Sequence, residues 1–265
     1  MSELDAIRRL AARFPAVGDD AAVLDGGLLA AADAIVARVD FYDDTPMADI
    51  GWRVVTVNAS DIAAMGGRPT AFLLTLVGIA DRDLDALLDG VAEACTAYGC
   101  ELVGGDLSGV PEVGDPLVVS GAILGTTDGR PAVLRSGASA GDAIWVSGPL
   151  GASAVSEYRR RPTARVDVGA AIAQLGATAM IDLSDGLGLD LSRLLDASGV
   201  GADVDPGLVP RARGADEPDA WNGGDDYELL FTLPDGVAGP GARIGTIVAD
   251  ASQRPLVDGG YVHSL

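Results

Sequence analysis

Apolar residues recur along the chain with two spacings, one typical of amphipathic helices and the other of buried strands. The helical spacing predicts helices over residues 3–13, 47–65, 81–97, 150–160, 167–175 and 184–199. Short apolar runs bounded by glycine, proline or aspartate predict strands over residues 21–24, 28–39, 70–79, 101–106, 116–125, 143–148, 178–183, 201–205 and 227–233. Because helices and strands alternate in both halves of the chain, the pattern predicts an α/β or α+β fold.

A stretch of turn residues with few apolar positions, RPAVLRSGASAGD, begins at position 130. We therefore predict two domains, residues 1–130 and residues 131–265, which agrees with the size of a chain of 265 residues. No apolar run approaches the ~18–20 residues of a membrane span, and the charged N-terminus lacks the apolar centre of a signal peptide. The sequence thus predicts a cytoplasmic protein with no membrane partner.

The composition is strongly acidic, with 39 acidic residues against 18 basic ones and a net charge of −21. Nucleic-acid binding is disfavoured, since the longest basic run is only Arg159–Arg161. The surplus acids are typical of a solvated, halophilic surface. All 18 basic residues are arginine and the single histidine is His263, so lysine chemistry and a buried histidine triad are not expected. Chemistry must rest on aspartate, arginine, backbone amides and metal.

Aspartate stands beside glycine in five clusters, each at the end of an apolar strand or on a helix of small residues. The clusters are VGDDAAVL (17–24), NASDIAAMGG (58–67), LVGGDLSG (102–109), MIDLSDGL (180–187) and WNGGDDYELLF (221–231). Each one taken singly is readable as a turn or a helix cap. Their repetition in apolar surroundings predicts carboxylates that converge and need a cation. Carboxylate oxygens suit Mg²⁺, which also takes phosphate oxygens, and the glycines allow a phosphate to approach the backbone.

The order of these motifs resembles that of a known family. GDDAAVL, NASDIAAMGGRP, GGD, RSGASAGD, IDLSDGL and GGDDYELLF are similar to the motif series of the thiamine-monophosphate kinases, in the superfamily of aminoimidazole ribonucleotide synthetase. The resemblance implies a two-domain aminoimidazole ribonucleotide synthetase-like fold. Its N-terminal domain would form a dimeric, β-barrel-like interface, and its C-terminal α/β domain would close over the nucleotide. The implied activity is Mg²⁺-dependent phosphorylation of thiamine monophosphate by ATP, in a homodimer.

The resemblance also implies residue roles. The implied Mg²⁺ ligands are Asp20, Asp33, Asp61, Asp106, Asp182 and Asp185. The implied ATP contacts are Gly105, Asp106, Arg135 and Ser184, and the implied substrate contacts are Asp40, Asp225 and Tyr261. Asp40 replaces a histidine of the family pattern, and Asp225 replaces the glutamate of GGED. No catalytic acid or base is expected, because a phosphate acceptor is already anionic at neutral pH.

Two other functions stay open at this point. The chain is also compatible with another ATP-dependent synthetase of the same superfamily, and with a non-catalytic relative that binds Mg²⁺ and nucleotide. Individual residues have simpler roles available as well. Asp19 is expected to cap or orient, Ser184 or Asp185 to cap the helix that follows, and Asp190 to face solvent on that helix.

Overall fold

The computed structural model describes residues 3–14, 16–79, 82–110, 115–255 and 260–261. Its helices are α1 (Glu3–Arg13), α2 (Met47–Ala64), α3 (Leu84–Tyr98), α4 (Ala152–Val155), α5 (Val166–Gln174), α6 (Leu187–Ser198) and α7 (Glu217–Asn222). Its strands are β1 (Ala22–Leu24), β2 (Leu28–Val36), β3 (Arg68–Val77), β4 (Glu101–Ser108), β5 (Val118–Thr126), β6 (Ala143–Val146), β7 (Ala179–Asp182), β8 (Gly201–Val204), β9 (Leu229–Leu233) and β10 (Ala242–Val248).

The first sheet has the strand order β1-β2-β5-β3-β4 and is antiparallel except for the pair β3–β4, which α3 connects. Helices α2 and α3 pack together beneath one face, where alternate side chains of β5, such as Val119 and Ile123, are fully buried. The two helices approach closely because Gly51 leaves room: a Cβ there would lie 2.0 Å from the Leu87 carbonyl oxygen. The other face of this sheet has no helix of the described chain packed on it.

The second sheet has the order β7-β9-β6-β10-β8 and is antiparallel throughout. The inner strand β9, which pairs with β7 and β6, is buried on both faces. Leu230 packs with residues of α6 on one side, whereas Phe231 packs with Ile172 of α5 and with Ala64 at the end of α2 on the other. The second half of the chain thus encloses its own sheet between helices.

Helix α2 connects the two halves. It packs on β2, β3 and β5 of the first sheet and on α5 and β7 of the second, so nearly its whole circumference is buried. Four polar residues of this helix are among the buried ones: Arg53, Thr56, Asn58 and Ser60. Because a buried polar side chain needs a partner, α2 is the element on which a functional site between the two sheets is expected.

The mixed α/β class is confirmed, and the described residues form two open sheets without a closed barrel. The helix predicted over 150–160 is wrong: α4 has four residues, because Glu157 and Tyr158 adopt positive φ angles of 52° and 60°. The capping prediction for Ser184 and Asp185 is also wrong. Helix α6 begins at Leu187 after Gly186, and no side chain caps it.

The predicted solvent exposure of Asp190 is wrong as well. This residue is 0% exposed, because α6 places it on the same face as its leucines. Its carboxylate accepts a hydrogen bond from Arg193 Nη1 at 2.7 Å and another from the Asp185 backbone N–H at 3.0 Å. Burial raises the pKa of Asp190 to about 7, against the opposing effect of Arg193.

The remaining predictions about single residues and the membrane have simple outcomes. Cys95 and Cys100 are buried free thiols. His263 lies outside the described residues. None of the helices in the described ranges has the length and apolar character needed to cross a bilayer. A cytoplasmic location and the division at residue 130 stay predictions.

Candidate functional site

Three of the predicted metal ligands converge between the two sheets. Asp20 precedes β1, Asp61 lies on α2 and Asp182 ends β7. One carboxylate oxygen from each of these residues lies within 4.8 Å of those from the other two. Residues separated by up to 162 positions in the sequence therefore form one compact cluster of acids, which we call the carboxylate cluster.

The like charges of the carboxylate cluster repel one another. Burial raises the pKa of Asp61 well above its usual range, and the neighbouring Asp33, Asp182 and Asp20 raise it further. The pKa of Asp182 is also raised well above its usual range by burial and by Asp20, although the Ser60 hydroxyl opposes this by donating a 2.6 Å hydrogen bond to Oδ2. A divalent cation would relieve both effects, and three oxygen donors suit Mg²⁺.

Arg135 is the cationic partner of Asp20. Its Nη2 donates to Asp20 Oδ1 at 2.7 Å and its Nε to Oδ2 at 3.2 Å, while its backbone N–H donates to Asp19 Oδ1 at 2.6 Å. Burial alone would lower the pKa of Arg135, but the contact with Asp20 raises it on balance. Asp19 therefore orients the backbone, as expected, and Arg135 stands next to the carboxylate cluster with its guanidinium engaged on Asp20.

A cavity of about 470 Å³ opens between the two halves of the chain. All three predicted substrate contacts line it, together with three other predicted site residues: Asp33, Asp40, Ser184, Asp185, Asp225 and Tyr261. Tyr158 and Tyr227 add two more aromatic rings to its wall. A pocket of carboxylates and aromatic rings is suited to a cationic aromatic ligand.

Asp33 places this cavity next to the carboxylate cluster. It lies on β2, lines the cavity, and raises the pKa of Asp61 through its charge. Its backbone N–H donates to Asn58 Oδ1 at 3.1 Å, and Asn58 in turn donates to the Val54 carbonyl oxygen on α2. Asn58 and Asp61, three residues apart on α2, thus share a helix face, and that face is turned toward Asp33.

The other residues of the cavity wall are held by backbone contacts. The Tyr261 N–H donates to the Asp185 carbonyl oxygen at 2.9 Å, and the Asp225 N–H donates to the Ser184 carbonyl oxygen at 2.7 Å. Asp40 Oδ2 accepts from the Val36 N–H at 2.7 Å. Asp185 is paired with Arg193, whose Nη1 lies 2.5 Å from its Oδ2, and it is not part of the three-residue carboxylate cluster.

Gly105 and Asp106 do not reach the cavity of their own chain. Gly105 lies on the edge strand β4, in the same row across the sheet as Asp33 on β2. Three strand spacings separate these two positions, or about 14 Å. Gly105 is required by packing, since a Cβ there would lie 1.7 Å from the Leu74 carbonyl oxygen. Asp106 is exposed and accepts a 2.9 Å hydrogen bond from the Ser108 hydroxyl.

Comparisons with known proteins match this chain over most of its length. The family model "AIR synthase related protein, N-terminal domain" matches residues 18–127. The thiamine-monophosphate kinase of Rhodopirellula baltica is 37% identical over 243 residues, which cover 82% of this chain and 75% of that protein. The chain belongs to the thiamine-monophosphate kinase family. The family member from Halobacterium salinarum is 33% identical and aligns over 99% of this chain and 100% of its own length.

Solved structures of family members have the same fold. The structure of AaThiL complexed with AMPPCP and TMP superposes with a TM-score of 0.89 at 29% identity, over 99% of this chain and 97% of that chain. Thiamine monophosphate kinase from Aquifex aeolicus superposes with a TM-score of 0.82 at 30% identity, over 92% of each chain. The hydrogenase maturation protein HypE, at 21% identity and a TM-score of 0.71, shares the fold.

Sequence reasoning missed two polar residues of this thiamine-monophosphate kinase family site, and both lie on α2. Ser60 donates to Asp182, and its position beside Asp61 in NASDIAAMGG was the available signal. Arg53 lines the cavity and binds Asp225. A charged residue within the apolar run GWRVVTV was the signal for it, because arginine is rarely buried without a specific partner.

Proposed function

We propose that this protein transfers the γ-phosphoryl group of ATP directly to the phosphate of thiamine monophosphate, giving thiamine diphosphate. The observation that carries the proposal is the carboxylate cluster of Asp20, Asp61 and Asp182 beside a cavity lined by the predicted substrate contacts. Membership of the thiamine-monophosphate kinase family and the similarity to AaThiL complexed with AMPPCP and TMP support it.

We propose Asp20, Asp61 and Asp182 as the central ligands of Mg²⁺, with Asp33 and Asp185 at the border between metal and substrate. The raised pKa values of Asp61 and Asp182 support this assignment, because they mark negative charge that the protein alone leaves poorly compensated. When bound, Mg²⁺ supplies positive charge that offsets the charge of the phosphate oxygens.

The remaining chemistry needs positioning rather than a proton acceptor. A phosphate monoester already presents an anionic oxygen, so no histidine or lysine is required to accept a proton. Arg135 is placed to exchange its contact with Asp20 for a contact with a phosphate of ATP. The cavity acids Asp40 and Asp225 and the ring of Tyr261 are suited to the cationic, aromatic part of thiamine monophosphate.

We propose a homodimer in which the first sheet pairs with that of a second copy. Its uncovered face and its edge strand β4 expose apolar side chains that a monomer rarely leaves in water. The exposed fractions of Leu107, Val103 and Leu73 are 66%, 58% and 37%. A second copy at this face would bring β4 close to another chain, which would give Gly105 and Asp106 a route to a nucleotide that their own chain does not provide.

We also propose that the two sheets mark two domains, residues 1–130 and residues 131–265, with the nucleotide and substrate bound between them. The first sheet uses residues 22–126 and the second uses residues 143–248, which supports a boundary near 130. Arg135 lies just after this boundary and contacts Asp20 from the first half. Nucleotide binding at this pair would therefore affect how the two domains close.

The deciding experiment is a turnover assay with thiamine monophosphate, ATP and Mg²⁺, in which thiamine diphosphate is detected by chromatography. We expect thiamine diphosphate and ADP in equal amounts. Release of ADP without thiamine diphosphate would favour another ATP-dependent synthetase. Binding of Mg-ATP without turnover would favour the non-catalytic relative. Replacing thiamine monophosphate with unphosphorylated thiamine serves as the control, since it lacks the acceptor phosphate.

A further inference from the structure

Arg53 is a cation buried in the middle of α2, with 6% of the residue exposed. Its Nη1 donates to Asp225 Oδ1 at 2.5 Å. Its Nη2 donates to two backbone carbonyl oxygens, those of Tyr158 and Arg160, each at 3.2 Å. One guanidinium on the central helix therefore holds an acid of the cavity wall and the loop that follows α4 at the same time.

Two of the three groups that Arg53 holds belong to the wall of the cavity. Asp225 and Tyr158 line it, as does Arg53 itself. Asp225 has a φ angle of 57° and Tyr158 one of 60°, which are unfavourable for residues with a Cβ. Both residues are therefore kept in place by their contacts rather than by local backbone preference. Arg53 is the hydrogen-bond donor to one carboxylate oxygen of Asp225 and to the Tyr158 carbonyl oxygen.

The charge of Asp225 depends on Arg53. Oδ2 of Asp225 is buried and has no partner at hydrogen-bond geometry among the described residues, so the contact at Oδ1 is the principal compensation. Burial raises the pKa of Asp225, and Arg53 is the largest opposing influence, ahead of Tyr227. An arginine is suited to this task because its planar fork binds the carboxylate and the two carbonyls together, which a single ammonium group does less well.

We propose that Arg53 is a positioning residue for the phosphate acceptor: it fixes Asp225 and the Tyr158 loop in the cavity wall that receives the acceptor's ring system. The inference rests on the proposed function, and it assigns Arg53 to acceptor binding rather than to ATP binding. No hydrogen bond of Arg53 to the carboxylate cluster is seen among the described residues, whereas two of its three hydrogen bonds go to cavity-lining residues and the third goes to the same loop as Tyr158.

The test compares Arg53→Met and Arg53→Lys with a matched control on the same loop, Arg161→Met. Arg161 anchors that loop through Asp49 and Glu93 but does not line the cavity. For Arg53→Met we expect the KM for thiamine monophosphate to rise about 10–100-fold, because a charge-assisted hydrogen bond is lost. The KM for ATP should stay within about twofold, and Arg53→Lys should restore only part of the acceptor KM, because an ammonium group replaces the charge but not the planar fork.

A double-variant cycle separates a path through Asp225 from general damage to the fold. Arg53→Met leaves a buried carboxylate unpaired and risks misfolding, whereas the double variant Arg53→Met/Asp225→Asn buries neither charge. If Arg53 acts through Asp225, adding Arg53→Met to Asp225→Asn should change the acceptor KM by less than about threefold. Additive effects, or an equal rise in the KM for ATP, would overturn the inference. The same holds if Arg161→Met raises the acceptor KM as much as Arg53→Met does.

Calorimetric titration of thiamine monophosphate onto each variant keeps this inference distinct from the proposed function. If the wild-type protein binds the acceptor but does not turn it over, the proposed function fails, and the dissociation constants still decide the role of Arg53. A folded Arg53→Met variant with the wild-type dissociation constant would refute the positioning role, whatever the turnover result. Absence of acceptor binding by the wild-type protein would overturn both proposals.

Discussion

Asp61→Asn should make the metal-free protein more stable while it removes the activity. In the carboxylate cluster, the oxygens of Asp20, Asp61 and Asp182 lie within 4.8 Å of each other. Two unit charges at that distance repel by about 3 kcal/mol at an effective dielectric constant of about 20. The raised pKa values of Asp61 and Asp182 mean that part of this repulsion is already relieved by protonation, so the expected gain is smaller, about 1–2 kcal/mol.

The assay is thermal unfolding in EDTA and in Mg²⁺. For a chain of this size, a gain of about 1–2 kcal/mol corresponds to a rise in Tm of about 2–6 °C in EDTA. In Mg²⁺ the order should reverse, because the wild-type protein gains stability from the ion and Asp61→Asn gains less. Thiamine diphosphate formation should fall by about 10²-fold or more, as expected when charge neutralisation at the phosphates is lost. Asp89→Asn, an exposed acid on α3, controls for the change in net charge.

The pH dependence gives the same test a second readout. Asp61 has a folded-state pKa above its unfolded value, so its contribution to stability is present in full below the unfolded pKa of about 3.9 and is lost as the pH rises through the folded value. In EDTA, the Tm of the wild-type protein should therefore decline as the pH rises above about 4, and Asp61→Asn should decline less. A lower Tm for Asp61→Asn than for the wild-type protein in EDTA at neutral pH would refute the idea of a strained carboxylate cluster.

Three further predictions address neighbouring features. Arg135→Ala should leave Asp20 buried without its ion pair and so lower the Tm in EDTA, with partial recovery in Mg²⁺. It should also raise the KM for ATP by about 10-fold or more. An unchanged Tm in EDTA would contradict this. Leu124→Glu, on the uncovered face of the first sheet, should convert a dimer to a monomer by light scattering, whereas the exposed Leu175→Glu on the second half should not; a dimeric Leu124→Glu would count against the proposed interface. Asp40→Asn should raise the KM for thiamine monophosphate about 2–10-fold with little change in kcat, because residue 40 lines the cavity and its side chain still accepts the hydrogen bond from the Val36 N–H. A change in the KM for ATP alone would exclude an acceptor role.

Most of the fold could be predicted from apolar spacing, since five of the six predicted helices and all nine predicted strands lie at or near their observed places, whereas the short helix α7 was not predicted. The helix predicted over 150–160 ends after four residues, where Glu157 and Tyr158 adopt positive φ angles. The Tyr158 carbonyl oxygen accepts a hydrogen bond from Arg53 on α2, a tertiary contact that spacing does not encode. The strand order, with β5 between β2 and β3, also depends on packing over α2 and is not visible in the sequence.

The convergence of the acids could be predicted from the sequence only in part. Asp20, Asp61 and Asp182 meet as expected from their apolar surroundings. The partner of Asp20 was not foreseen, because Arg135 is 115 positions away and no local rule connects them. Asp106 also stands beside glycine after an apolar run, but it lies on an edge strand. Its place in a site therefore depends on a second chain, which a single sequence does not describe.

Asp190 and Asp61 show how an acid with a structural role differs from one that we propose as a metal ligand. Both lie on a helix among apolar residues: Asp190 is three positions after Leu187 and four before Leu194, so spacing alone places it on the buried face of α6. Asp190 carries its own counter-ion three residues further along the helix, at Arg193. Within four residues of Asp61 there is no basic residue, and its nearest charged neighbours across space include three other aspartates. An acid on an apolar helix face without a cation within one turn therefore requires a partner from outside the helix; at Asp61 the charge of Arg135 offsets part of the repulsion from the aspartates, and we propose a divalent ion for the rest.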